Sequence, residues 1–212
     1  MLTIFQSPKG GSGTSVTTAA FALAQAKQHG KALLIDMCGD SPAVLGMSEP
    51  DSPGLNDWLA EAHTAGADAL LALGSRATDT VMVVPQGSRF VTGAPRWDAL
   101  VEAVTAWDFP VIIDAGTHYV PDTLRAAADS VLLVTRACYM ALRRATRMPK
   151  ATGVVVLREE GRALTVRDVE AVLGVPAVAT VPVDAAIARA VDAGVLGVRW
   201  EELLARHLPA TA

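Results

Sequence analysis

The chain has 212 residues, 51% of them hydrophobic and 19% charged, which is enough to bury a full core and too apolar for a disordered segment. A net charge of −4 argues against a globally basic nucleic-acid binder. Two cysteines, Cys38 and Cys138, argue against a disulfide scaffold or a C-x-x-C metal motif and fit a reducing, cytoplasmic setting.

No basic leader precedes the first apolar run, and no run reaches the roughly 18 to 20 apolar residues of a membrane span, so any membrane contact is expected to be peripheral. Leu2 to Phe5 reads as a buried strand entering Ser7-Pro8-Lys9-Gly10-Gly11-Ser12-Gly13-Thr14-Ser15, and a helical pattern leaves that stretch. Glycines so closely spaced let backbone N–H groups turn inward on an anion, and a helix starting near Gly13 aims its positive end at the same spot. Ser15 stands where phosphate loops place the hydroxyl that holds Mg²⁺. The pattern G-x-x-x-x-G-K-[ST] wants lysine where this chain has Thr14. The alternative is a glycine-rich turn that binds nothing.

Ser15 to His29 carries apolar residues at helical spacing and is closed by Gly30. Ala32 to Ile35 reads as a strand ending at Asp36, so Asp36 to Asp40 is expected to face a ligand at the strand's C-terminal end. Residues 41 to 54 read as a loop and Leu55 to His63 as a short amphipathic helix. Thr80 to Val84 is a predicted strand, Arg96 to Trp107 a helix, and Val111 to Ile113 a strand ending at Asp114. Val131 to Val134, Val154 to Leu157 and Val178 to Val181 follow as strands, and Arg199 to Leu208 as a tail helix. The alternation predicts an α/β fold: a mostly parallel central sheet of about seven strands with helices on both faces, in one domain over residues 1–212.

The loop Lys9-Gly10-Gly11-Ser12-Gly13-Thr14-Ser15, the strand Phe109-Pro110-Val111-Ile112-Ile113-Asp114 and the stretch Ala127-Ala128-Asp129-Ser130-Val131-Leu132 resemble the MinD/ParA family of deviant Walker A, P-loop ATPases. Leu173-Gly174-Val175-Pro176 and Val181-Pro182-Val183-Asp184, followed by Ala190 and Gly194, extend that resemblance. Asp114-Ala115-Gly116 and Val81 to Pro85 look closer to its pilus-positioning TadZ/CpaE-like branch. The resemblance implies ATP or ADP with Mg²⁺, held by Lys9, Gly10, Gly11, Ser12, Gly13, Thr14, Ser15 and Val16. It implies Ser15, Asp36 and Asp114 at the metal, and Arg158 over the base, a solvated loop arginine being the alternative. It also implies a homodimer in which Lys9 reaches the partner's phosphates, and a protein partner from a localisation or partition system.

Two departures from the family pattern bear on chemistry. The family motif after the second strand, D-x-D-P, orients the attacking water with its second acid, and here it reads Asp36-Met37-Cys38-Gly39-Asp40. Cys38 is a poor base for that role. A lysine about 4 Å from a phosphate charge gains roughly 4 kcal/mol at an effective dielectric near 20, before desolvation. Losing it at Thr14 removes on the order of two decades of affinity at about 1.4 kcal/mol per decade, and harms the charged transition state more. The expected function is a dimeric spatial organiser, for pilus, flagellum, division or chromosome, with weak or lost hydrolysis. The alternatives are a nucleotide-free pseudo-ATPase scaffold, or a slow genuine ATPase in which Asp40 joins Lys9 and Asp36 as a catalytic residue. Arg143, Arg144, Arg147 and Lys150 are expected to complement a helix dipole rather than bind DNA or acidic lipid. The tail helix is expected to pack on the body, and the scattered histidines predict no zinc site.

Overall fold

The computed structural model describes residues 1–61, 66–89 and 95–209. Strands β1 (Leu2–Gln6), β2 (Ala32–Asp36), β3 (Ser75–Arg76), β4 (Val81–Val84), β5 (Val111–Gly116), β6 (Ser130–Arg136), β7 (Gly153–Arg158) and β8 (Ala177–Pro182) form one sheet in the order β3-β4-β2-β5-β1-β6-β7-β8. Every pairing is parallel except β3 with β4. The expected sheet of about seven parallel strands is therefore present. The eighth strand is a two-residue antiparallel edge, Ser75–Arg76, too short and too exposed to leave a hydrophobic pattern.

The strands alternate faces as their pleat requires. Phe5, Leu34, Ile112, Val134, Val155 and Leu157 pack against helix α1 (Thr14–His29) and the C-terminal helices α9 (Ala185–Asp192) and α10 (Leu196–Leu203). Ile4, Leu33, Ile35 and Ile113 face the other way, onto α3 (Leu55–Glu61), α4 (Ala67–Ala72), α5 (Trp97–Thr105) and α6 (Asp122–Ala127). Val154 and Val156 share that second face with α7 (Tyr139–Ala145) and α8 (Val166–Leu173).

Several expectations change. Residues 41 to 54 are not all loop, because Ser41–Val44 forms a one-turn helix, α2, with Pro42 in its first turn where a missing N–H costs nothing. The helix from Leu55 ends at Glu61 within the described residues, and Ala62 and His63 lie outside them. Helix α7 stops at Ala145, so Arg147 and Lys150 lie beyond it and the shared helical face expected for Arg143, Arg147 and Lys150 does not extend to them. The tail does pack on the body: Trp200 is 7% and Leu204 0% exposed in the α1-side core, and a Lys27–Glu201 ion pair ties α1 to α10. Among the described residues no helix is long and apolar enough to cross a membrane.

Candidate functional site

The site is built where β1, β2 and β5 end together. Parallel pairing sets Asp36 of β2 opposite Asp114 of β5 and Phe5 of β1 opposite Asp114, so both acids and the loop after β1 emerge at one edge. The loop from Ser7 to Gly13 is tied at both ends. The Ser7 N–H donates to the Gly116 carbonyl at 2.6 Å, and the Ser12 hydroxyl donates to the Lys9 carbonyl at 2.8 Å. Gly11 (φ 71°) and Gly13 (φ 72°) take left-handed backbone that other residues adopt only under strain, and Gly13 caps α1. A Cβ on Gly13 would also sit 2.5 Å from Leu157 Cδ2, so the glycine lets the helix start press against β7.

This loop opens on a cavity of about 670 Å³. Gly10, Gly11, Ser12, Gly13, Thr14, Ser15 and Val16 all line it, as the resemblance implies, together with Cys38 and Asp40. Lys9 does not; its ammonium donates to the Gly10 carbonyl at 3.1 Å in an exposed hydrogen bond. Thr14 is buried, so the lysine position of the loop is filled by a short neutral side chain.

Asp36 and Asp114 are both fully buried and lie behind the cavity wall. Asp36 Oδ1 accepts from the N–H groups of Cys38 (2.9 Å) and Gly39 (3.0 Å) and from the Cys38 thiol (3.3 Å), while Oδ2 accepts from the Ser41 N–H at 3.0 Å. The carboxylate thus shapes the turn that presents Cys38. Asp114 Oδ1 accepts from the Gly116 N–H at 3.0 Å, and the Ser41 hydroxyl reaches Oδ2 at 3.4 Å. Burial pushes the Asp36 carboxyl above the usual range against these hydrogen bonds. Burial likewise raises Asp114, with the nearby Asp36 charge adding to it. Cys38 is raised furthest, first by burial and then by the negative charges of Asp114 and Asp36, so its thiol stays protonated.

Ser15 Oγ stands 3.6 Å from Cys38 Sγ, and single donor atoms of Asp36, Cys38 and Asp114 all lie within 4.8 Å of one another. The Ser15 hydroxyl and the two carboxylates are hard oxygen donors of the kind Mg²⁺ takes, and they fit such an ion beside bound phosphates. The thiol between them does not suit Mg²⁺.

Arg158 lies apart from the phosphate loop's cavity. Strand alternation turns Leu157 toward α1 and Arg158 to the opposite face, where it lines a separate cavity of about 710 Å³ with Arg162 and Arg167. Sequence reasoning missed Thr117, His118, Val191 and Asp192, which line the loop's cavity. Thr117 and His118 follow Asp114 on the β5 turn and were within reach of the strand-end rule. Val191 and Asp192 arrive from α9 with no local signal.

A strand, a glycine-rich loop and a helix N-terminus at the carboxyl edge of a parallel sheet define a P-loop nucleotide-binding fold. Residues 3–197 match the family model described as CobQ/CobB/MinD/ParA nucleotide binding domain, and the chain belongs to that family. No curated protein matches the sequence. Among solved structures, a ParA family ATPase from Chlorobium tepidum TLS is similar at 21% identity and a TM-score of 0.78, over 96% of this chain and 91% of that one. The septum site-determining protein MinD from Pyrococcus horikoshii OT3, complexed with Mg-ADP, is similar at 20% identity and 0.67, over 95% and 90%. A complex of a Cyanothece McdA variant with ATP is similar at 17% identity and 0.66, over 100% and 98%. These likenesses establish the fold, and they lend no support to the pilus-positioning branch.

Proposed function

We propose that residues 1–212 form one MinD/ParA-like domain that binds ATP or ADP with Mg²⁺ at the phosphate loop and acts as a dimeric spatial organiser with weak or lost hydrolysis. The observation that carries this reading is the contrast inside the site. The backbone cradle, Ser15 and both buried carboxylates are in place, while the lysine position is a buried threonine and the water-orienting position is a thiol. Binding depends mainly on the cradle and the helix dipole, and hydrolysis depends on the two groups that are replaced. A magnesium ion in this site would neutralise phosphate charge; Ser15, Asp36 and Asp114 would hold it. Lys9 does not line the cavity and forms no ion pair with an acid among the described residues, which supports a role for it toward a second copy's phosphates. That the Mg-ADP and ATP complexes of MinD and McdA share the fold supports a nucleotide here.

The alternative of a slow genuine ATPase is favoured by one observation, the presence of Asp40 on the cavity wall. Phosphate release at saturating Mg-ATP tests both. The parent is expected to turn over far below Thr14→Lys combined with Cys38→Asp, because that pair returns both missing roles. Equal turnover in parent and double variant would sink the impaired-enzyme reading, and loss of turnover in Asp40→Asn would establish the slow ATPase.

A further inference from the structure

The end of β7 carries a second concavity, separate from the cavity of the phosphate loop. Leu157 packs toward α1, while Val156 and Arg158, on the other face of the strand, line a cavity of about 710 Å³ together with the start of α8. That volume falls within the roughly 300 to 1,000 Å³ of sites for small organic ligands. We propose that this cavity binds an amphipathic organic anion, an apolar or aromatic body with a carboxylate or phosphate head, held at the head by Arg158 and Arg167.

The body rests on core. Val156 is fully buried, and Leu164 and Val166 pack half-buried against the same cluster, so an apolar ring seated on these lining residues leaves water for a surface that already belongs to the core under α7 and α8.

The head meets cations with no acid to hold. Among the described residues neither Arg158 nor Arg167 forms an ion pair, whereas the third lining arginine, Arg162, is committed to Glu159 at 2.6 Å. Arg136 also reaches Glu159, at 3.5 Å, and the Arg162 hydrogen bond with these two charges holds the Glu159 carboxyl below its usual range. Glu159 is thereby neutralised, and the lining acid left to face the two unpaired arginines is Glu160. Two guanidinium groups against one carboxylate leave a net positive charge, and each guanidinium fork matches the paired oxygens of a carboxylate or phosphate. The first turn of α8 adds donors. Asp168 accepts from the Thr165 N–H at 2.7 Å and donates its own N–H to Thr165 Oγ at 3.3 Å, which leaves the N–H groups of Val166 and Arg167, both cavity-lining residues, with no carbonyl inside the helix to bond. Arg158 and Arg167 are exposed, so water competes for their charge and the apolar floor supplies the rest of the affinity.

This site goes beyond the nucleotide reading and does not depend on it. The test titrates the full chain with naphthyl phosphate and with naphthoate, taking neutral naphthalene methanol as the reference and following naphthyl fluorescence. One of the anions is expected to saturate a single site per chain and to bind at least ~10-fold more tightly than the neutral compound, the effect of a charge-assisted hydrogen bond. Whichever anion binds more tightly identifies the head. Arg158→Ala and Arg167→Ala should each weaken that anion about 10-fold, with Arg158→Lys and Arg167→Lys in between because charge is kept and the fork is lost. Glu160→Gln should tighten it, a gain that misfolding does not produce, and Arg143→Ala should leave it unchanged. Saturating Mg-ATP should not displace the probe, and Arg167→Ala should bind fluorescent ATP as the parent does. No saturable anion binding, equal binding of the neutral compound, parent-like affinity in both alanine variants, or displacement by Mg-ATP, which would return Arg158 to the nucleotide's base, would overturn the proposal. Probe binding in a chain that takes up no fluorescent ATP supports this site and overturns the nucleotide reading alone.

Discussion

At the scale of single residues, the site is a place where ordinary groups are held in costly states. Asp36 and Asp114 are raised by burial, and a carboxyl whose folded pKa is raised binds its proton more tightly folded than unfolded. Its favourable contribution is then fully present below the unfolded value of about 3.9 and is lost as pH rises through the folded value. Asp114→Asn cannot ionise. Thermal unfolding with chelator should therefore show this variant gaining on the parent between about pH 4 and pH 7, with the difference smallest at the acid end. A gap that stays flat across that interval would mean that the carboxylate is compensated by something other than its hydrogen bonds.

At the scale of the element, the junction from β1 into α1 depends on backbone that only glycine takes without strain. Gly13 combines φ 72° with a Cβ position 2.5 Å from Leu157 Cδ2, whereas Gly10 has nothing within 4 Å and no positive φ. Left-handed backbone costs a non-glycine residue about 1 to 2 kcal/mol, and Leu157 has to shift as well. For a chain of this size each kcal/mol moves Tm by roughly 2 to 4 °C. Gly13→Ala should therefore lower Tm by about 2 to 8 °C, with Gly10→Ala close to the parent as the control. Equal melting of the two variants would refute the argument. Much of this junction was legible, since strand, glycines and helix follow one another in the sequence. Leu157 as the neighbour was not, because β7 arrives from the far end of the chain.

At the scale of the whole molecule, the charge in the phosphate loop that bears on assembly is Lys9. Its ammonium donates to the Gly10 carbonyl and does not line the cavity. In a dimer with the family's geometry each nucleotide would be completed by the partner's lysine, so binding and dimerisation would be linked, each raising the affinity of the other. Lys9→Ala should weaken both together. Sedimentation of parent and variant, with and without Mg-ATP, reads this directly. A variant that binds ATP as tightly as the parent would reduce Lys9 to a loop residue.

What the sequence determined by itself was local and periodic. The apolar runs that became β1, β2, β4, β5, β6, β7 and β8, the glycines of the loop and the acids at strand ends are all contiguous patterns, and the fold class follows from their alternation. Elements of one turn or two residues are too short to show a period, which is why α2 and β3 were not foreseen. Tertiary structure alone decided which side chains meet. Strand register placed Asp36 against Asp114, and the turn shaped by Asp36 put the Cys38 thiol between them and the cavity. Strand alternation sent Arg158 to the other face, and α9 delivered Val191 and Asp192 to the loop. The physical reason is that hydrophobic period records which way a residue faces its own element, whereas a site is assembled from residues whose elements are brought together only by the packing of the sheet.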